Sequence, residues 1–169
     1  AGARANLEVY LAPGKVGQEG CRAKLAQVDV AEVYSPPRVT VEAQKFGLKP
    51  GDSMDLRTGF DFTIEADRKR ANQRIRESRP KLLIGSPECK MFSALQNLSR
   101  WTAEKGKKLH EAKENMKFMC ELYEEQVKEA RCILHEHPVG ATSWQLEPVK
   151  KVMRMTGVET VVGGQCQFG

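Results

Sequence analysis

The sequence predicts an α/β domain whose central sheet is mainly parallel and carries helices on both faces. Runs rich in β-branched and apolar residues alternate along the chain with stretches of helical periodicity. One of these runs, "KLLIG" at 81–85, is apolar on both faces, as an interior parallel strand requires. Proline and glycine separate the runs, so each run is predicted to be an element of its own.

The first predicted elements follow residues 1–27, an N-terminal extension in which "GKVGQEG" favours flexibility. The β-rich run 28–34 is predicted to be a strand that stops at "SPPR", because proline cannot continue a ladder. The stretch 38–48 predicts a short helix closed by Gly47. The stretch 49–56 predicts a turn followed by a second short strand.

The middle of the chain predicts two longer helices around a buried strand. The stretch 63–80 is predicted to be a helix with Thr63 as its N-cap. The strand 81–85 follows, and a helix is expected to begin directly after Cys89. Apolar side chains near helical spacing predict a further helix over 107–130, with its methionines in the core.

The last predicted elements complete a domain that spans residues 28–169. The run "RCILHEHP" at 131–138 is predicted to be a strand that ends in polar groups. A helix over 146–157 and a strand over 158–164 follow it. Strands that alternate with helices in this way imply right-handed crossovers and a parallel sheet.

Composition places the chain among soluble proteins of one domain. Its 169 residues are 40% hydrophobic, and no apolar run approaches the ~20 residues of a membrane helix. The five cysteines have irregular spacing, which predicts free thiols and an intracellular location, in the nucleus or cytoplasm. Because the chain begins without Met and ends at "GGQCQFG", we expect it to be part of a longer polypeptide.

Basic residues are concentrated in three stretches of a chain whose net charge is +5. They lie at 67–81, 105–108 and 150–154. Such patches are compatible with binding to a polyanion, and solvated helix faces are the alternative interpretation.

Three strand ends carry polar residues that could meet in one crevice. They are "SPPR" at 35–38, "GSPECKMFS" at 85–93 and "HEHP" at 135–138. In open α/β sheets ligands bind beyond the carboxyl ends of the strands, near the point where the strand order reverses. Cys89 is therefore a candidate nucleophile, and a small buried cysteine is the alternative. Glu136 is a candidate acid, and a carboxylate that caps or pairs is the alternative.

The segment "LLIGSPECKMFS" resembles the nucleophile motif of cytosine-C5 DNA methyltransferases, in which Pro-Cys follows an apolar strand and Phe-Ser follows the cysteine. Cys89 aligns with the nucleophile, and Glu88 stands where the family has proline. "ILHEHP" resembles the family's Glu-Asn-Val motif, with Glu136 as the carboxylate and His137 in place of Asn. "VVGGQCQFG" resembles a later segment of the same family.

The resemblance implies a Rossmann-like three-layer sandwich, truncated relative to full methyltransferases, that transfers a methyl group from S-adenosylmethionine to cytosine in DNA. The catalytic residues would be Cys89 and Glu136. The expected cofactor-binding residues are Glu32, Tyr34, Ser35, Asp55 and Ser86. The expected nucleic-acid-binding residues, for DNA in preference to RNA, are Arg70, Arg74, Lys81, Lys90 and Ser93.

One part of the chain departs from the family's pattern. The cofactor loop of the family is Phe-x-Gly-x-Gly, and the corresponding segment here reads "VYSPPRV", without glycine. This departure favours two alternatives. One is an inactive methyltransferase-fold module that binds nucleic acid, and the other is an assembly subunit derived from a larger polyprotein.

Two smaller motifs allow further interpretations. Cys132, His135 and His137 could hold a metal ion with an outside ligand such as His110 or Cys166, although the paired spacing of zinc modules is missing. Trp101 and Trp144 could each stack on a base, and packing is the alternative role for both.

Overall fold

A computed structural model of the protein describes residues 6–11, 26–98 and 100–164. Within them, six strands form one sheet. The strands are β1 (Asn6–Leu11), β2 (Val28–Val33), β3 (Pro50–Met54), β4 (Pro80–Gly85), β5 (Cys132–Pro138) and β6 (Glu159–Gly164). The strand order is β3-β2-β4-β5-β1-β6.

The four central strands confirm the predicted mixed α/β architecture with a mainly parallel sheet. β2 pairs in parallel with β3 on one side and with β4 on the other, and β4 pairs in parallel with β5. After β2 the next strand, β3, lies on one side of β2, and the strand after that, β4, lies on its other side. The strand order therefore reverses between β2 and β4. Val33 is aligned with Gly85, and Gly85 with His135, so these three strand ends are adjacent, as predicted.

In the part of the chain that the structure describes, four α-helices cover the sheet from both faces. They are α1 (Val39–Lys45), α2 (Glu65–Ser78), α3 (Ala103–Lys128) and α4 (Glu147–Met153). Ala43 of α1 packs with Val30 and Ile84 on one face. The other three helices contribute to the larger core on the opposite face, around Leu83 and Ile133. Because successive strand residues point to opposite faces, each interior strand serves both clusters.

β1 is a strand for which the sequence analysis assigns no element. It lies between β5 and β6 and runs antiparallel to both. Residues 1–5 and 12–25 of the N-terminal extension and residues 165–169 lie outside the described residues. The run "NLEVYL" alternates polar and apolar residues as a strand does, so the sequence carries a short signal for β1 that its pairing with β5 and β6 makes evident.

Two predicted helix starts are wrong. α2 begins at Glu65 without a side-chain cap, because Thr63 donates its hydroxyl to Asp61 instead, at 2.7 Å. The helix expected directly after Cys89 is a three-residue 3₁₀ turn, Lys90–Phe92. Such a turn is too short to provide the aligned peptide dipoles of a helix N-terminus.

No helix within residues 26–98 and 100–164 has both the length and the apolar character needed to cross a membrane.

Candidate functional site

A cleft of about 680 Å³ opens at the carboxyl ends of β2, β3 and β4. Its walls come from Tyr34 after β2, from the segment 55–63 after β3, from the segment 86–91 after β4, and from the first half of α3. The cleft therefore lies where the strand order of the sheet reverses, which is the usual ligand position in open α/β sheets. Its volume is within the range of small-molecule sites.

Aromatic side chains form one wall of the cleft. The ring of Phe62 lies 4.5 Å from that of Tyr34 and 6.0 Å from that of Phe60, measured between centroids. The Tyr34 hydroxyl donates a hydrogen bond to the backbone carbonyl of Asn115 at 3.2 Å. Burial raises the pKa of this hydroxyl well above its usual value, and the charge of Arg68 lowers it by less. Tyr34 is therefore a neutral hydrogen-bond donor, and its ring, tilted by 48° to that of Phe62, is the less buried part of this apolar wall.

Tyr34 also has a strained backbone. Its φ is 61°, in the left-handed region that side chains with a Cβ avoid, at a cost of about 1–3 kcal/mol. Its amide is fixed by a hydrogen bond to the carbonyl of Met54 at 2.9 Å. The strain falls in the loop where the resemblance leads one to expect glycines, so the chain makes a similar sharp turn here without them.

Carboxylates outnumber lysines in the described lining of the cleft. The acidic side chains are Asp55, Asp61, Glu88, Glu104 and Glu111. The basic side chains are Lys90, Lys105 and Lys108. This balance favours a cationic ligand or one rich in hydrogen-bond donors, and disfavours a phosphate group.

Asp55 and Ser86 are the expected cofactor residues that line the cleft together with Tyr34. Asp55 directly follows β3, and one of its carboxylate oxygens accepts the amide of Arg57 at 2.8 Å as the cap of a 3₁₀ turn. Ser86 directly follows β4, and its amide is bonded to the carbonyl of Val33. One residue expected from the sequence therefore follows each of the three strands that form the cleft.

Glu32 and Ser35, also expected to bind a cofactor, are buried outside the described lining of the cleft. The Glu32 carboxylate accepts hydrogen bonds from the amides of Arg38 and Thr40 and from nearby hydroxyls, including that of Ser35 at 3.1 Å. Burial raises the pKa of this carboxyl, but the hydrogen bonds from Thr40 and its neighbours outweigh it, so the pKa lies below its usual value. Glu32 therefore holds the start of α1 rather than a ligand.

Cys89 and Glu136 are both half-buried, and the described lining of the cleft includes neither. Glu136 lies between His135 and His137, which are buried on the face that carries α3. The alternation of a strand places the Glu136 side chain on the other face, the one on which Leu134 packs. The neighbours of Cys89 on both sides, Glu88 and Lys90, do line the cleft.

The two histidines of β5 form a buried stacked pair. Their ring centroids are 5.4 Å apart, and the Trp144 ring stands edge-on to both. Burial lowers the pKa of His135 to about 3 and that of His137 to about 4, so both imidazoles are neutral. The Trp144 indole donates to the carbonyl of Pro138 at 2.8 Å, which makes this tryptophan part of the core.

The metal cluster of Cys132, His135 and His137, an alternative interpretation of the sequence, is not formed. Among the described residues no group of three or more potential ligands converges on one point. Cys132 lies on the opposite face of β5 from the histidines and is disulfide-bonded. The expectation of free thiols is therefore wrong for Cys132, and it is confirmed for Cys89 and Cys120.

The expected nucleic-acid-binding residues are dispersed. Arg70 pairs with Asp67 and covers the Phe60 ring, and Arg74 pairs with Asp52. Lys81 is exposed at the amino end of β4, the opposite end of that strand from the cleft. Of the remaining two, Lys90 lines the cleft, whereas Ser93 accepts the amide of Leu95 at 3.3 Å.

Sequence reasoning missed the aromatic wall and the α3 side of the cleft. Phe60 and Phe62 alternate around Asp61 just after β3, and this alternation was the available signal. Asn115 and Lys105 carry no such signal, because only the packing of α3 brings them to the cleft.

Comparisons of the chain with models of protein families, with curated proteins and with solved structures found no match in any of the three.

Proposed function

We propose that this protein is a Rossmann-like domain of methyltransferase type that binds S-adenosylmethionine in the cleft and acts on cytosine in DNA. The observation that carries the proposal is the position of the cleft, at the carboxyl ends of β2, β3 and β4 where the strand order reverses. The resemblance around Cys89 supplies the reaction, because the segment 86–91 forms both that motif and one wall of the cleft.

The lining of the cleft fits an adenosine that carries a positive charge. Asp55 follows the second parallel strand, where an acidic side chain can accept hydrogen bonds from ribose hydroxyls. The Tyr34 ring, which Phe62 supports from behind and which is the least buried of the three aromatic side chains, suits contact with an aromatic base, and the excess of carboxylates suits a sulfonium. When bound, S-adenosylmethionine would supply the methyl group.

Cys89 and Glu136 would act on the cytosine ring itself. Addition of the Cys89 thiolate to C6 makes C5 nucleophilic, and a carboxylic acid at N3 stabilises the electron density that the addition pushes into the ring. A base within a duplex is out of reach, so the target must leave the stack, at a cost of a few kcal/mol. The thiol remains free, as this role requires.

A second candidate, a nucleic-acid-binding module without methyl transfer, is favoured by one observation. The Glu136 side chain belongs to the face of the sheet that carries α1, whereas α3 and the aromatic wall bound the cleft from the other face. In this alternative the cleft retains a ligand, while the segment around Cys89 has only a packing role.

The two candidates differ in whether Cys89 forms a covalent bond to substrate. In 5-fluorocytosine the fluorine blocks the elimination that would release the enzyme, so DNA that contains it traps the adduct. With S-adenosylmethionine present, mass spectrometry should find the adduct at Cys89, and Cys89→Ser should abolish it. Cys120→Ser is the matched control, because that thiol is buried and its pKa is raised to about 12. If wild-type protein forms no adduct at saturating cofactor and DNA, methyl transfer is excluded and the second candidate stands.

A further inference from the structure

An exposed apolar surface borders the cleft where the chain enters α3. It consists of Leu95, Leu98 and Trp101, which are 71%, 84% and 61% exposed, and of the basic residues between 100 and 108. We name it the rim surface. These three large apolar side chains are exposed within seven residues of chain that also contribute Gln96 to the cleft, and exposed apolar side chains concentrated in this way are typical of a docking site.

The two tryptophans differ in their exposure to solvent, since Trp101 lies on the rim surface and Trp144 lies in the core. Trp144 is buried, and its indole is bonded to the protein. Trp101 rests against Gly106, where its ring comes within 3.5 Å of the position a Cβ would take, and Lys105 Nζ lies 5.7 Å from its ring centroid. The ring is thus supported by the first turn of α3, yet most of its surface faces solvent.

Positive charge accompanies these apolar side chains. Between residues 100 and 108 the chain carries four basic residues and one acidic residue, Glu104. Three lysines lie in the first two turns of α3, where the helix dipole disfavours cations. Glu104 pairs with Lys108 at 2.7 Å, and Lys107 reaches Glu111 only at 3.9 Å. An anionic partner would offset the unfavourable placement of this charge.

The rim surface is continuous with the cleft. Thr102, Lys105 and Lys108 belong to the start of α3 and also line the cleft. A chain bound along the rim surface would therefore pass the mouth of the cleft. Its phosphates would lie beside Lys107, which the described lining of the cleft does not include, and beside Lys108 at the edge of that lining.

We propose that the rim surface binds single-stranded nucleic acid, with an unpaired base stacked on Trp101 and the adjacent phosphates on Lys107 and Lys108. A single strand presents flat apolar bases that alternate with negatively charged phosphates, and the rim surface complements both. A protein partner would have to supply a matching run of acidic groups. A duplex hides the faces of its bases from Trp101, so an unpaired strand is the better partner. The proposal deepens the proposed function, on which it rests, by naming the form in which the nucleic acid is held.

The test is a titration of a fluorescein-labelled, 12-nucleotide single strand, followed by anisotropy without any cofactor. Trp101→Ala should weaken binding on the order of ten- to a hundredfold, because stacking on an aromatic ring is lost, and Trp101→Phe should restore most of it. Phe46→Ala is the matched control, since Phe46 is 79% exposed at the end of α1, and it should leave the affinity unchanged. Lys107→Gln with Lys108→Gln should reduce the slope of log affinity against log salt by about 1.4.

Three results would overturn the proposal. One is the absence of binding, another is an equal effect of Trp101→Ala and Phe46→Ala, and the third is tighter binding of a hairpin duplex than of the single strand. Because the titration contains no S-adenosylmethionine, its outcome is separate from that of the cofactor experiment. A protein that binds the strand but forms no Cys89 adduct retains the rim surface and loses only methyl transfer.

Discussion

At the scale of single residues, Glu32 shows how a buried carboxylate can fix a loop. It is 1% exposed and holds the amides of Arg38 and Thr40 at 3.2 and 2.8 Å, at the start of α1. Hydrogen bonds to an ionised acceptor contribute about 1.5–3 kcal/mol each. The turn after β2 is therefore closed by an internal anion, at the place where other α/β sheets bind a phosphate.

Glu32→Gln should destabilise the protein by about 2 kcal/mol, because the neutral amide oxygen of Gln accepts the hydrogen bonds from Arg38 and Thr40 less strongly than the ionised carboxylate does. Urea unfolding measures the loss. Asp29→Asn is the control, since Asp29 likewise accepts a backbone amide, that of Lys49 at 2.8 Å, but in an exposed position. Its cost should stay below about 1 kcal/mol. Equal losses in the two variants would contradict the role assigned to Glu32.

The histidine pair of β5 makes stability depend on pH. The folded-state pKa values, about 3 for His135 and about 4 for His137, lie below the ordinary value of 6.5. Between the folded-state pKa values and pH 6.5 the unfolded chain binds more protons than the folded one. The contribution of the neutral pair to the free energy of unfolding is therefore complete above pH 6.5 and is lost as the pH falls toward the folded-state pKa values. The free energy of unfolding should decrease toward pH 5, with a slope that approaches about 1.4 kcal/mol per pH unit for each imidazole.

His137→Phe should remove about half of this slope, whatever it does to stability at pH 7. His110→Gln is the comparison variant, because His110 is an exposed histidine on α3 that is not part of the pair. Urea denaturation between pH 7.5 and 5 gives the slopes, above the range in which carboxylates titrate. A slope that His137→Phe does not alter would show that the pair is not the source of the acid sensitivity.

At the scale of elements, the contact between β4 and α3 is closest at Gly85. A Cβ at this position would lie 2.6 Å from Met119 Sδ and would also collide with the Tyr123 hydroxyl. That hydroxyl lies within hydrogen-bonding distance of the carbonyls of Gly85 and Leu134 and of His135 Nδ1. A side chain at Gly85 would therefore push α3 away from the carboxyl end of the strand, next to the cleft.

Gly85→Ala should reduce the free energy of unfolding by about 1–3 kcal/mol, the usual range for overpacking a core. Gly140→Ala is the control, because nothing lies within 4 Å of the Cβ it would add. Chemical denaturation of both variants provides the comparison. A Gly85→Ala protein as stable as the Gly140→Ala protein would mean that α3 is free to move at this contact.

The sequence predicts most elements because their own pattern carries the signal. β4 is apolar on both faces, and α3 has a methionine stripe that recurs at helical spacing, so both are predicted close to their bounds. β1 is missed because its neighbours in the sheet are at the other end of the chain. The helix after Cys89 is wrong because a helical pattern over a few residues also suits a 3₁₀ turn.

At the scale of the whole molecule, the candidate site is predicted in part because the carboxyl ends of parallel strands meet at one edge. This rule brings Tyr34, Asp55 and Ser86 together from sequence alone. It does not say which way a side chain points, and Glu32 and Ser35 turn toward α1 instead. The α3 side of the cleft depends on how a long helix packs, which no local pattern specifies.

The measurement that tests the central claim most directly is isothermal titration of the protein with S-adenosylmethionine. Because the loop after β2 lacks glycines, we expect weak binding, with a Kd of about 10–500 μM. Asp55→Asn should weaken it on the order of tenfold while it still caps its turn. Asp52→Asn is the control, because Asp52 lies in β3, outside the described lining of the cleft, and pairs with Arg74. Absence of heat at millimolar cofactor, or equal affinities for the two variants, would contradict the assignment of the cleft as the cofactor site.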